Sequence, residues 1–91
     1  MADGISVERA GLEAGIKVCE SSISVLETVA ANLQSSYSNA GSGWSDENYA
    51  KLGRIVQECV DALKKPIPGI QDSERTINEM IRILDQTEEI F

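Results

Sequence analysis

Apolar side chains recur at Leu12, Ile16, Cys19, Ile23, Leu26, Ala30, Leu33 and Tyr37, a four-three alternation held for almost four heptads. That spacing returns to one side of a helix every turn and fits no strand, whose side chains alternate with a period of two. This part of the chain is therefore read as one long amphipathic helix. Ser6, with Ile5 before it, is the expected N-cap, and the run Asn39 to Gly43 supplies the stop. The pattern predicts a helix over about 6–38, on the order of 50 Å long at 1.5 Å per residue.

A turn over 39–45 follows. Ser45 is placed to cap a second helix whose first turn holds Asp46 and Glu47, where carboxylates meet the positive end of the helix dipole. Trp44, the only tryptophan, then stands just before the cap and Tyr49 one turn inside, the two positions of a hydrophobic staple. The apolar series continues as Tyr49, Leu52, Val56, Cys59 and Leu63, broadened by Ile55 and Val60, which predicts a helix over about 46–64. Pro66 and Pro68 interrupt it. Neither can donate a backbone hydrogen bond, and each disfavours helix at the residue before it, so a break is expected over 65–70. Ile70, Ile77, Leu84 and Phe91 then keep the seven-residue spacing of Tyr49, Val56 and Leu63, and Asp72 or Ser73 can cap a third helix over about 71–89.

The fold class expected is all-α, a single domain over 1–91. Two arrangements satisfy the pattern: an antiparallel helical hairpin with a proline break in its second arm, which we favour, and a hairpin whose last segment folds back as a third helix. In either, two helices sharing one seam leave apolar side chains over. Val18, Ile23, Val25, Val29, Ile55, Val60, Ile81 and Ile83 are the candidate partner interface, and assembly into a four-helix bundle dimer would cover them.

Ninety-one residues allow one modest core, and only 4% of them are aromatic. The net charge of -7 is spread along the chain, with five acidic and two basic residues over 1–44 and ten and six over 45–91. No basic face is offered to nucleic acid or an anionic membrane, so neither is an expected partner, and no segment is read as a membrane span. The start Met1-Ala2-Asp3-Gly4-Ile5-Ser6 does not read as a secretory signal. Cys19 and Cys59 are read as two reduced core thiols or one disulfide, the thiols favoured because both fall on apolar stripes. In a hairpin centred near residue 41, Cys19 faces about residue 63, so a disulfide would need a shifted register.

Chemistry finds little purchase. The chain has no histidine, and serines such as Ser21 and Ser22 have no basic partner in a motif. No catalytic residue, cofactor or metal site is assigned. Gly41-Ser42-Gly43 precedes a helix as a phosphate-binding loop does, but no P-loop lysine follows, and a helix-to-helix turn accounts for it.

The run Gly41-Ser42-Gly43-Trp44-Ser45-Asp46-Glu47-Asn48-Tyr49-Ala50-Lys51-Leu52, set between two helical arms near mid-chain, resembles the WXG-motif family of small proteins exported by type VII (ESX-like) systems. Gly43, Trp44, Asp46 and Tyr49 carry the turn motif, with Asp46 where the family has its second glycine. The family's export signal, a tyrosine followed four residues later by an acid, is not matched: Gly41 follows Tyr37 and Gly53 follows Tyr49. The resemblance implies a non-catalytic helical hairpin that pairs as a homodimer or heterodimer. The divergent motif is similar to that of small partners of LXG-type toxins, in which the toxin's helical N-terminal region supplies the other half of the bundle. As implied, the protein serves type VII export as substrate, targeting factor or chaperone. It is then secreted without a cleavable signal peptide, or cytoplasmic before export. The reading from a different class is a cytoplasmic three-helix or coiled-coil scaffold.

Overall fold

The computed structural model describes the backbone over residues 2–41 and 46–90, and side chains over 8–41 and 46–87. All of the described chain is helical apart from short turns, with no strand. Helix α1 runs Ala2–Ala40, α2 Asp46–Lys64 and α3 Ile67–Ile90.

Three boundaries differ from those the sequence predicts, each for a local reason. Helix α1 begins at Ala2, so Ser6 lies inside it and is not its N-cap. The free N–H groups of a helix's first turn can be satisfied by water as well as by a capping side chain. Helix α3 begins at Ile67 rather than about residue 71, which places Pro68 in its first turn. The N–H that proline lacks has no helical partner at that position, and its fixed φ suits a helix start. The interval between α2 and α3 shrinks to Lys65 and Pro66. There the Lys65 N–H still donates to the Asp61 carbonyl at 2.9 Å, and Pro66 has no N–H with which to continue. Asp72 and Ser73 are therefore interior residues of α3, not caps; Asp72 pairs with Arg75 at 2.9 Å.

The chain divides into two compact units. One comprises Met1–Ile23 with Pro68–Phe91, and the other Ser24–Ile67. Helix α1 contributes its first part to one and the remainder to the other.

In the unit of 24–67, α1 packs against α2 over a core of Ala30, Val56 and Val60. Leu33, Tyr37, Leu52 and Leu63 close around it, half-buried. These three are the only buried apolar residues among those described, and Val60 is the largest side chain that is fully enclosed.

In the unit of 1–23 and 68–91, the stripe Leu12, Ile16, Cys19 and Ile23 of α1 is half-buried, as are Ile70, Ile77, Ile81 and Leu84 of α3. The helices come close at Gly15, where an added Cβ would lie 3.3 Å from Ile77 Cδ1. Arg9 joins them electrostatically, pairing with Asp85 of α3 and with Glu13 one turn along α1 at 3.4 Å.

Candidate partner-binding surface

The two tyrosines form the most specific feature of the 24–67 unit. Their rings stack with centroids 4.2 Å apart and planes inclined by 24°. Tyr37 OH donates to the Tyr49 carbonyl at 3.1 Å, and Tyr49 OH donates to the Tyr37 carbonyl at 3.0 Å. Each ring thus ties its own helix to the backbone of the other. Two glycines make this possible. A Cβ on Gly53 would lie 2.5 Å from the Tyr37 hydroxyl oxygen, and one on Gly41 would lie 2.9 Å from that of Tyr49. Desolvation, followed by the hydrogen bond and the charge interaction with Tyr37, pushes the Tyr49 hydroxyl above a tyrosine's ordinary pKa.

Sequence reasoning places Tyr49 at the turn motif without finding this clasp. The signal was available in two copies of one spacing, Tyr37-x3-Gly41 and Tyr49-x3-Gly53. Of the other motif residues, Asp46 is exposed as the first residue of α2, with Glu47 paired to Lys51 at 3.6 Å. Gly43, Trp44 and the Ser45 cap lie outside the described residues, and so does Phe91.

The candidate interface residues separate clearly. Val18 is 64% exposed and Val25 61%, and Val29, Ile55 and Ile83 are exposed as well. Ile23 and Ile81 are half-buried. Val60 requires correction: at 1% exposure it is a core residue, enclosed with Ala30 and Val56, and is closed to any partner. Cys59 is also displaced from its expected place, exposed on α2 rather than buried, while Cys19 is half-buried; both thiols are free.

Met80, which the apolar pattern alone does not single out, joins the exposed set because it lies one turn from Ile83 on α3. On α1 the exposed valines lie on a second stripe, distinct from the one that packs internally. Successive positions Gly11, Ala14, Val18, Ser21, Ser22, Val25, Val29 and Asn32 carry no charge. A helix with one charged flank and two uncharged stripes can pack on two sides at once.

The described residues contain no helix long and apolar enough to cross a membrane and no cluster of three His, Cys, Asp or Glu placed to hold a metal ion. No protein-family model, curated protein or solved structure matches the chain.

Proposed function

We propose that the protein is a non-catalytic, WXG-like component of type VII export that completes its core by packing against a helical partner. The observation that carries this reading is the imbalance between core and surface. Among the described residues the buried core is Ala30, Val56 and Val60, while Val18, Val25, Val29, Ile55, Met80 and Ile83 are exposed. Fully burying an exposed side chain of this kind contributes about 1.5–3 kcal/mol, so these six, each only partly covered, leave part of that stabilisation for a partner to supply.

In this reading α1 is one arm of a hairpin, and α2 and α3, separated at Pro66, are the other. Two facts support it: α2 packs on α1 in one unit, and α3 packs on α1 in the other. A second hairpin then supplies the missing half of a four-helix bundle, either another copy or the N-terminal region of an LXG-type toxin. The run Gly41 to Leu52 and its tryptophan, by their resemblance to the WXG motif, link this bundle-forming role to export. The protein acts there as substrate, targeting factor or chaperone.

Export is tested by following the tagged chain in culture supernatant and cell pellet, with the type VII machinery intact and disabled. The proposal expects machinery-dependent release of the chain or of its partner. Retention in the pellet, with no change in any partner's release when this chain is deleted, would refute it.

A further inference from the structure

In the unit of 1–23 and 68–91, an open groove of about 530 Å³ is lined by Glu8, Gly11 and Leu12 of α1 and by Met80, Ile83 and Leu84 of α3. Its walls are apolar except for the Glu8 carboxylate. Gly11 is the informative residue. Glycine is a poor helix former, and three glycines have an internal reason: Gly15 of α1 faces Ile77, Gly41 just past α1 faces Tyr49, and Gly53 of α2 faces Tyr37. A Cβ on Gly11, like one on Gly69 in the first turn of α3, would meet nothing within 4 Å, and of the two only Gly11 lines the groove. Packing inside the chain does not require the missing side chain. It keeps open the floor of a groove between two helices, into which an anchor from a third helix fits.

Charge identifies that helix. The arginines of this unit are paired within it: Arg9 with Glu13 and Asp85, Arg75 with Asp72, and Arg82 with Glu79. Lys17, six positions beyond Gly11, falls about 120° away around α1. Glu8 takes part in no ion pair among the described residues, and it stands on the groove wall. A second copy of the chain would bring another net charge of -7 to this carboxylate. We infer that the groove takes an amphipathic helix of a different protein, with an apolar anchor over Gly11 and a lysine or arginine beside it that meets Glu8. This rests on the partner-binding reading above and names the chemistry of the partner at one end of that surface.

The test uses the full chain and two labelled synthetic helical peptides with the same leucine stripe, one flanked by lysines and the other by glutamates, with binding read by fluorescence anisotropy. The lysine peptide should bind at least tenfold more tightly. Glu8→Gln should remove most of that preference. Gly11→Leu should weaken lysine-peptide binding at least tenfold while circular dichroism and melting temperature are unchanged or raised, since the groove floor is open. Gly11→Ala, the milder change, should give an intermediate loss and serves if the leucine variant misfolds. Equal binding of the two peptides, or indifference to both Gly11 variants, overturns the inference. So does sedimentation showing a wild-type dimer that Gly11→Leu dissociates, which would make a second copy the occupant. Failed export with intact peptide discrimination would count against the export reading alone. Intact export with no response at Gly11 and Glu8 would count against the groove alone.

Discussion

Gly53 lacks a side chain where Tyr37 needs the space, and this reverses the ordinary ranking of helix formers. Alanine is favoured over glycine within a helix by about 1 kcal/mol. Here, however, its Cβ would lie 2.5 Å from the tyrosine hydroxyl oxygen. Gly53→Ala should therefore destabilise the protein, a net loss measurable by urea unfolding, whereas Gly11→Ala should stabilise it by up to about 1 kcal/mol. Tyr37→Phe removes one cross-helix hydrogen bond and should cost about 1 kcal/mol. The raised pKa of Tyr49 sets a sign at alkaline pH. The fold favours the neutral hydroxyl, so its contribution is intact below the ordinary tyrosine pKa and is lost as pH rises through the raised folded value. Tyr49→Phe should remove that part of the alkaline loss of stability, as followed by melting temperature against pH. Glu79 has the opposite sign, since the hydrogen bond and charge of Arg82 hold its carboxyl below the usual range. The destabilisation caused by Glu79→Gln should be present at neutral pH and vanish as pH falls through the depressed value. Val60→Ala tests the core: loss of two methyl groups from a fully enclosed site should cost about 2 kcal/mol.

Helix α1 is legible from its four-three stripe because side-chain periodicity is a local property of the sequence. The second uncharged stripe through Val18, Val25 and Val29 is legible for the same reason. Residue-level partnerships are not. Tyr37-x3-Gly41 and Tyr49-x3-Gly53, compared with the family's export signal, show only a missing acid; the paired helices show that each glycine accommodates the opposing tyrosine. Likewise, Val60 and Ile55 both broaden the stripe of α2, and only the approach of Ala30 determines which of them is buried. The cost of proline inside a helix places the break over 65–70, whereas its tolerance in a first turn moves the start of α3 back to Ile67. This predicts different behaviour for the two prolines in amide hydrogen exchange. Pro66→Ala restores an N–H at the α2–α3 interval and should slow exchange of the amides around it. Pro68→Ala lies in the first turn of α3 and should leave exchange nearly unchanged.

Taken whole, the described chain has more apolar surface suited to packing than it packs. Among the described residues only three apolar side chains are buried, and a partner that binds only the folded form adds stability by mass action. The exposed valines of α1 and the charged flank of the same helix make opposite predictions about where that partner lies. Site-specific photocross-linking in the producing cell tests this most directly, with a benzophenone side chain placed at Val18, Val25, Ile55 or Ile83 and, as controls, at Glu20, Glu27 or Asp61. The account predicts discrete cross-linked adducts from the first four positions and none from the three controls. Adducts formed equally from both sets, or monomer alone from every position, would contradict it.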